Sequence, residues 1–269
     1  MREIGQKITF SIDDKMEKRI IDRLQSEGCI FAEEETQLLV SEADNKEDLI
    51  QMVEKRASGI PLEYVLGFTK FCGLRIKVEQ GVFVPRQRTE FLVLQASALT
   101  RVCDIVVDLC CGSGAVGAVI ANNLKKILLH SADIDPSAVR CASHNLTNIG
   151  GQVYKGDLYQ ALPNTLRGRV NVIVANVPYV PTAAIELLPQ EARLYEPIIA
   201  LDGGKDGLDL QRKVAEEASN WLAPGGYLLI ETSERQAAQT LEIFKNAGLA
   251  AKIERDEELD ATVVIGAKS

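Results

Sequence analysis

The stretch that decides the fold is Asp108-Leu-Cys-Cys-Gly-Ser-Gly-Ala-Val-Gly, which ends at Gly117. A β-branched apolar run at 105–107 comes just before it, and an apolar stretch with helical character, residues 115–124, follows it. A buried strand, a glycine-rich turn and a helix in this order are typical of the start of a βαβ unit. The sequence therefore predicts parallel strands with helices between them and a ligand at the strand ends.

Further apolar runs continue this pattern toward the C-terminus. Short β-branched runs alternate with helical stretches, which indicates strands buried between helices. The predicted strands are 105–107, 127–132, 152–155, 170–175, 226–230, 251–254 and 261–265. We therefore predict an α/β fold with a doubly wound, mainly parallel, seven-stranded sheet of the Rossmann-like kind.

The N-terminal part of the chain has a different texture. Charged residues alternate with apolar ones at three-and-four spacing, which predicts three or four short helices. Asp13 and Asn45 are suitable N-caps, and Gly28 and Gly59 are suitable stops. We expect a helical domain over residues 1–66. A β-hairpin linker is expected over 67–80, followed by the catalytic domain over 81–269.

Composition excludes several classes of protein. The chain has 269 residues, of which 46% are hydrophobic, so it has a core to bury and is not disordered. Its 30 basic and 38 acidic residues leave a net charge of −8, which argues against nonspecific binding of nucleic acid. No apolar run approaches the ~20 residues that cross a bilayer, and the N-terminus has no signal core. We expect a cytoplasmic protein with no membrane partner.

Metal binding is not expected either. The six cysteines contain no Cys-x-x-Cys pair, and the sequence has only two histidines. In a reducing compartment we expect six inert thiols, buried or half-buried.

The glycine-rich turn and the acid that follows it predict a ribose-containing ligand. Gly112 to Gly117 reads G-x-G-x-x-G, and Asp133 follows Gly114 by 19 residues. An acid at this spacing takes ribose hydroxyls in dinucleotide sites. S-adenosylmethionine also carries a ribose, so the pattern alone leaves both open. Asp108 favours S-adenosylmethionine, because a carboxylate there would repel a pyrophosphate and attract the ammonium of a methionine group.

A third acid, Asp157, follows the third predicted strand. It is placed to accept from an adenine amino group, with the Leu158 backbone facing the ring. Acids after glycine are more often turn residues. However, Asp108, Asp133 and Asp157 follow three successive strands, and together they predict one cleft.

The fourth strand is followed by Ala175-Asn-Val-Pro-Tyr-Val-Pro, ending at Pro181. Here the chain resembles the glutamine-N5 protein methyltransferases of the HemK type, which modify release factors and carry Asn-Pro-Pro-Tyr at this point. The resemblance covers nearly the whole chain. It includes residues 61–67, 81–90, 108–114, 133–136, 196–209 and 222–231.

The motif also has a chemical logic of its own. An amide nitrogen is a poor nucleophile because its lone pair is delocalised. The Asn176 side-chain oxygen and the Val177 carbonyl can both accept from one NH₂ group, which aims it at the methyl and stabilises the charge that grows on nitrogen. Tyr179 can stack on the planar amide. We therefore predict Asn176, Val177, Pro178 and Tyr179 as the catalytic residues, with no separate base.

The resemblance extends the cofactor site. It implies that Phe83, Arg86 and Thr89 form the methionine end of the pocket and that Glu196 supports the active-site loop. The predicted S-adenosylmethionine site therefore comprises Asp108, Cys110, Gly112, Gly114, Asp133, Ile134, Asp157, Leu158, Asn176, Phe83, Arg86 and Thr89. No metal ligand is among them.

The sequence departs from the family pattern at three places. Val177 replaces the first proline, yet a residue before Pro178 remains extended and keeps its carbonyl. Cys110 replaces the first glycine of the loop. Gln87-Arg88 stands where the release-factor enzymes carry Pro-Glu. The Gln87-Arg88 segment borders the substrate cleft in the family, and the three departures indicate a related branch whose target the sequence does not assign.

The resemblance implies methyl transfer to a glutamine side chain in a protein, with a release factor or a ribosome-associated protein as candidates. The N-terminal domain is expected to recognise this partner, and we expect the enzyme to act as a monomer. N6-adenine methylation of nucleic acid stays open, because a similar motif grips a flipped base, although we expect no DNA partner. A dehydrogenase and a non-catalytic, cofactor-binding paralogue are further alternatives.

Overall fold

The computed structural model describes residues 10–269, so the start of the predicted N-terminal domain, residues 1–9, lies outside the described residues. Two compact units make up the chain, Met1–Gly67 and Phe68–Ser269.

The first unit is a small helical bundle. Its helices are α1 (Asp14–Ser26), α2 (Ala32–Glu42), α3 (Lys46–Ala57) and α4 (Leu62–Leu66). The predicted caps are confirmed, since the Asp13 side chain accepts from the Met16 N–H and Asn45 accepts from Asp48. Leu24, Leu39 and Leu49 are fully buried between the helices.

The second unit opens with a β-hairpin and then builds the sheet. The hairpin strands are β1 (Phe68–Phe71) and β2 (Leu74–Lys77), which pair antiparallel. The elements that follow are α5 (Thr89–Leu99), β3 (Ile105–Leu109), α6 (Ala115–Asn123), β4 (Leu128–Asp133), α7 (Pro136–Leu146), β5 (Gln152–Lys155), β6 (Val170–Ala175), α8 (Gln190–Tyr195), α9 (Asp209–Trp221), β7 (Leu222–Thr232), α10 (Ala237–Asn246), β8 (Ala250–Asp256) and β9 (Ala261–Ala267).

The seven-stranded sheet has the order β5-β4-β3-β6-β7-β9-β8, and it confirms the predicted fold class. Every pairing up to β7 is parallel, whereas β9 runs antiparallel between β7 and β8. The direction of strand progression reverses between β3 and β6. Such a switch point opens a crevice at the carboxyl ends of the strands, where ligands bind in open α/β sheets.

Both faces of the sheet are covered by apolar side chains. Successive residues of β3 show this, because Val106 belongs to the core on one face and Val107 to the core on the other. A strand buried on both sides needs a continuous apolar run, and this accounts for the pattern by which the sequence predicts these strands.

Cys103 is exposed, which corrects the expectation that all six thiols are buried or half-buried. It lies in the turn before β3 and has a left-handed backbone conformation, with a φ of 71°. All six cysteines are free. Among residues 10–269 no helix is both long and apolar enough to span a membrane.

Candidate active site

The predicted site residues converge at the carboxyl edge of the sheet. Leu109 pairs in parallel register with Ala132 on one side and with Ala175 on the other. Asp133 and Asn176 each come one residue after these partners. Because parallel strands in register end at one edge, their side chains emerge at the same level as the turn after β3.

Asp108 is buried at the end of β3. Its Oδ2 accepts a hydrogen bond from the Gly117 backbone N–H at 3.0 Å, which ties the strand to the first turn of α6. Burial raises the pKa of this carboxyl to about 7, with a further contribution from the negative Asp133 and an opposing one from the Gly117 hydrogen bond. A cationic ligand group beside Asp108 would supply the missing opposite charge.

Asp133 shapes the loop and keeps acceptor capacity for a ligand. Its Oδ2 accepts from the Gly112 N–H at 2.9 Å, and its Oδ1 accepts from the Asp135 N–H at 2.9 Å. Each carboxylate oxygen has a second lone pair, so two ribose hydroxyls can still be bound. Ile134, next to it, is 46% exposed at the same edge.

Gly112 and Gly114, both predicted to lie in the cofactor site, differ in what surrounds them. A Cβ at Gly112 would meet nothing within 4 Å, so its surroundings are open. A Cβ at Gly114 would lie 2.9 Å from Leu146 Cδ1, and its φ is +77°. Gly114 therefore allows α6 and α7 to pack closely, whereas only Gly112 leaves space at the cofactor loop.

Two residues of the predicted cofactor loops adopt left-handed backbone conformations without being glycine. Cys110 has a φ of 53° and Leu158, after Asp157, has a φ of 44°. Such conformations cost on the order of 1–3 kcal/mol and concentrate at ligand-binding sites. Burial, with the nearby acids adding to it, raises the pKa of the Cys110 thiol well above its ordinary value. Cys110 is therefore a neutral thiol beside the cofactor loop.

Asn176 lies directly after β6, and the N-terminus of α5 holds its side chain. Asn176 Nδ2 donates to Thr89 Oγ1 at 3.3 Å, so the side-chain oxygen Oδ1 is turned away from Thr89. The structure thus places Thr89 beside Asn176, the first residue of the predicted catalytic motif, while its role at the methionine end of the pocket stays a prediction. The arrangement leaves an amide oxygen available to accept from an NH₂ group.

Val177 and Tyr179 point in different directions from this loop. The Val177 side chain is 1% exposed and packs into the core formed by β6 and α9, so only its backbone is left for a ligand. The Tyr179 hydroxyl lies 3.5 Å from Glu231 Oε1. Burial raises the pKa of Tyr179 to about 12, and the negative Glu231 adds to the shift. Tyr179 is therefore a neutral phenol.

The segment 202–207 and the side chain of Gln236 pack against the loop around Pro178 and Tyr179 and form hydrogen bonds with it. The Gly203 N–H donates to the Val180 carbonyl at 2.8 Å, and Gln236 Nε2 donates to the Tyr179 carbonyl at 3.0 Å. A Cβ at Gly207 would come within 2.3 Å of the Tyr179 carbonyl oxygen. This close packing fixes the backbone of the motif.

Arg86 and Glu196 join two segments on the other side of the site. Arg86 Nη2 donates to Glu196 Oε2 at 2.5 Å, and the Val84 N–H donates to Glu196 Oε1 at 3.1 Å. The Arg86 guanidinium also lies over the Phe83 ring at 4.9 Å. Arg86 and Phe83 thus connect the segment before α5 to the loop that follows the motif.

Glu231 and Arg88 lie beside these residues, and neither is among the site residues predicted from the sequence, where Arg88 appears only in the Gln87-Arg88 departure from the family pattern. Glu231 lies near the end of β7, one residue after Ile230, which pairs with Ala175. It is therefore level with Asn176. Arg88 Nε is 3.5 Å from Glu231 Oε1, and its guanidinium lies 5.9 Å from the Tyr179 ring centre. Glu231 could have been found from the sequence, because it directly follows the predicted strand 226–230. The predicted site residues Asp108, Asp133, Asp157 and Asn176 also follow predicted strands.

Comparisons with known proteins agree with this geometry. A family model described as Methyltransferase small domain matches residues 73–191. The release factor glutamine methyltransferase of Geobacter sulfurreducens is 37% identical over 199 residues, covering 73% of this chain and 69% of that protein. The protein of the same name from Thermodesulfovibrio yellowstonii is 32% identical over 255 residues, covering 92% of this chain and 89% of that protein. Among solved structures, a methyltransferase from Pyrococcus furiosus has the same fold, with a TM-score of 0.56 at 18% identity, covering 74% of this chain and 90% of that one.

Proposed function

The chain belongs to the release factor glutamine methyltransferase family, and on that premise we propose that it methylates a glutamine side-chain amide in a peptide chain release factor. S-adenosylmethionine is the methyl donor and supplies an electrophilic methyl group on a sulfonium. In the reaction the methyl carbon–sulfur bond breaks and a carbon–nitrogen bond forms at N5. The products are S-adenosylhomocysteine, an N5-methylglutamine and one proton.

The observation that carries this proposal is the hydrogen bond from Asn176 Nδ2 to Thr89 Oγ1. It leaves Asn176 Oδ1 as an acceptor at the site, beside the Val177 carbonyl. Two acceptors on one NH₂ group orient the amide nitrogen and stabilise the positive charge that develops on it. Pro178 keeps the residue before it extended, and the Tyr179 ring packs on the amide plane.

The cofactor is held by residues at the neighbouring strand ends. We place its ammonium at Asp108, because no cation among residues 10–269 pairs with this buried carboxylate and its pKa is raised to about 7. Asp133 takes the ribose hydroxyls, and Asp157 with the Leu158 backbone takes the adenine. Gly112, Cys110 and Ile134 line the same pocket. The opposite charges of the Asp108 carboxylate and the ligand's ammonium favour binding.

No imidazole serves as a base in this mechanism. The sequence has two histidines, and His130 stacks on Tyr154 while His144 lies 3.9 Å from Glu79. The acceptor amide carries its own proton until the carbon–nitrogen bond forms, and the proton then becomes acidic enough to leave to water. Orientation of the nucleophile is therefore the main contribution of the protein.

We assign recognition of the release factor to the first unit. Ile30 and Phe31 are 88% and 64% exposed in the turn between α1 and α2, and adjacent exposed apolar side chains are typical of protein interaction sites. Replacing both by serine is expected to raise the acceptor KM without changing kcat. We further propose that the enzyme acts as a monomer in the cytoplasm, where reducing conditions keep its six thiols free.

The decisive experiment mixes purified protein with radiolabelled S-adenosylmethionine and purified release factor, with a cell extract as a second acceptor. Label on one glutamine of the release factor, located by mass spectrometry, is the expected result. Replacing that glutamine by glutamate is the matched acceptor control and must abolish labelling. Label on another extract protein with the release factor unlabelled would contradict the proposed substrate.

A further inference from the structure

The Asn145 side chain joins the glycine-rich loop after β3 to the end of the hairpin. Its Nδ2 donates to the Ser113 carbonyl oxygen at 2.8 Å and to the Lys77 carbonyl oxygen at 2.9 Å. Its Oδ1 accepts from the Lys77 N–H at 3.0 Å. A side-chain amide has two N–H hydrogens and one oxygen, so these three contacts use every polar group that Asn145 has. Asn145 lies near the C-terminal end of α7 and is not among the site residues predicted from the sequence.

The orientation of the Asn145 amide follows from its partners. The Lys77 N–H can only donate, so it must meet Oδ1, whereas the two carbonyl oxygens can only accept and must meet Nδ2. A flipped amide would place Oδ1 against both carbonyl oxygens and lose all three hydrogen bonds. An ionised aspartate has the same shape but no hydrogen to donate. The position therefore requires an amide.

The contact at Ser113 falls on the peptide group between Ser113 and Gly114. The N–H of the same peptide group, on Gly114, donates to the Cys111 carbonyl oxygen at 2.7 Å and closes a β-turn. Two glycines belong to this turn, Gly112 with a φ of 54° and Gly114 with a φ of 77°. Glycine adopts both signs of φ with similar ease, so the peptide groups beside it have other orientations open to them. Asn145 holds the carbonyl end of this peptide group from outside the turn, which excludes those orientations.

Two neighbouring elements anchor the loop. Asp133, at the end of β4, accepts from the Gly112 N–H at 2.9 Å, and Asn145 donates to the Ser113 carbonyl from α7. Ser113 is only 2% exposed, so water has little access to that carbonyl. A buried carbonyl that loses its partner costs more free energy than an ordinary hydrogen bond contributes. The Asn145 contact is therefore a main determinant of the conformation of the loop.

The contacts at Lys77 tie the same side chain to a second part of the predicted cofactor pocket. Lys77 is the last residue of β2, and Asn145 bonds both its backbone groups, as a neighbouring strand would. From Lys77 the chain leads to the segment 83–89, which is predicted to form the methionine end of the pocket. One side chain thus connects the two segments that are predicted to hold opposite sides of one cofactor.

We propose that Asn145 is a positioning residue for S-adenosylmethionine: it holds the Ser113–Gly114 peptide group in the orientation that the cofactor requires and fixes this loop relative to the segment that begins at Lys77. It acts through the loop and does not touch the cofactor. Without it the loop samples further peptide orientations, and the cofactor binds only one of them. The apparent Kd is then raised in proportion, because only a fraction of the protein is competent to bind.

The test measures S-adenosylmethionine binding to Asn145→Asp and Asn145→Ala by calorimetry, without an acceptor and well below the unfolding temperature. Aspartate keeps an acceptor for the Lys77 N–H but has no hydrogen for Ser113, whereas alanine removes all three contacts without adding charge. Both variants are expected to raise the Kd about tenfold to a hundredfold, the effect of leaving a buried carbonyl unpaired. In turnover assays, kcat at saturating cofactor is expected to stay within about threefold of wild type.

Cys141→Ala is the matched control on the same helix. Cys141 is fully buried and its Sγ donates to the Lys77 carbonyl oxygen at 3.2 Å, but its loss leaves the contact between Asn145 and Ser113 in place. This variant is expected to lower the unfolding temperature and to leave the cofactor Kd unchanged. A second measurement follows the loop directly, through hydrogen exchange of the Gly114 amide in NMR spectra of the cofactor-free protein. Exchange is expected to be faster in both Asn145 variants and unchanged in the control.

Three results would overturn the inference: a wild-type Kd in both Asn145 variants, an equal rise of the Kd in Cys141→Ala, or unchanged exchange of the Gly114 amide in the Asn145 variants. Because alanine adds no buried charge, Asn145→Ala decides the question even where aspartate prevents folding. A wild-type enzyme that binds S-adenosylmethionine but labels no release factor would refute the proposed function alone. The binding and exchange measurements need no acceptor, so they test Asn145 in either case.

Discussion

Asn176 Nδ2 and Thr89 Oγ1 lie 3.3 Å apart, although 87 residues separate them in the chain. The contact joins the end of a central strand to the first residue of α5. It turns Asn176 Oδ1 away from Thr89, and the prediction on the proposed role of Asn176 follows from that orientation.

Replacing Asn176 by alanine is expected to lower kcat about 100- to 1,000-fold, because one of two acceptors for the reacting NH₂ group is lost. Binding of S-adenosylmethionine, measured by calorimetry, is expected to change little, since Asp108 and Asp133 are untouched. Asn164→Ala, at an exposed turn, is the control and should behave as wild type. Unchanged turnover in Asn176→Ala would refute the assigned role.

The affinity for S-adenosylmethionine is expected to fall as pH drops through about 7, the pKa that burial gives Asp108. Below this pH the carboxyl is neutral and cannot pair with the cofactor's ammonium. The measurement is the cofactor Kd between pH 5.5 and 8.5. Asp108→Asn is expected to bind weakly at every pH, with no such inflection. A wild-type Kd independent of pH would contradict the placement of the ammonium.

The raised pKa of Asp108 also predicts how the free energy of unfolding depends on pH. Its pKa in the unfolded chain is about 3.9, so the folded state holds the proton more tightly. The stability it contributes is complete below about pH 4 and is lost as pH rises through about 7, at about 1.4 kcal/mol per pKa unit. Asp108→Asn, which never ionises, should therefore be more stable than wild type at pH 8. Urea unfolding at pH 5 and pH 8 tests this, with exposed Asp22→Asn as control.

Gly207→Ala is expected to lower both stability and kcat. Its φ is +78°, and an added Cβ would come within 2.3 Å of the Tyr179 carbonyl oxygen, so the motif's backbone must move. Gly225→Ala is the matched control, with a φ of +75° but nothing within 4 Å. The control should lose only about 1 kcal/mol of unfolding free energy from backbone strain, and no activity. Equal effects of the two substitutions on kcat would contradict the packing role of Gly207.

Cys103 is expected to react with a thiol reagent before any cysteine of the cofactor loop. It is exposed, whereas burial raises the pKa of Cys110 and of Cys111 well above the ordinary value. The reactive thiolate is therefore scarce in the loop at neutral pH. Peptide mapping after brief alkylation measures the order, and Cys103→Ser should remove the fast phase. Early labelling of Cys110 would show that the loop opens in solution.

The sheet could be predicted from the sequence because its strands are buried on both faces and flanked by helices. Asp108, Asp133 and Asn176 were recognisable for the same reason, since each directly follows a predicted strand. The contacts of Thr89 and Glu231 were not predictable in this way. They depend on how α5 packs on β7. The spacing of residues along the sequence does not give the distance between two segments that lie far apart in the chain.

Gly114 is a case in which the sequence motif is easily recognised but does not show what the residue does. Its place in G-x-G-x-x-G suggests a ligand, yet its lack of a side chain serves the packing of α7 through Leu146. A glycine motif describes backbone freedom, and only the tertiary contacts show what uses that freedom. The general tendency of thiols likewise predicts a buried or half-buried Cys103, whereas this residue is exposed.

Strand β9 has a consequence for the order in which the protein can assemble on the ribosome. It lies between β7 and β8, although both of these strands precede it in the chain. A nascent polypeptide that has been synthesised only as far as residue 256 therefore carries β8 without the strand that connects it to the sheet. Until β9 emerges, β7 has an open edge, and an open edge invites pairing with other chains. Because β7 also carries Glu231, this open edge belongs to a strand that borders the candidate site.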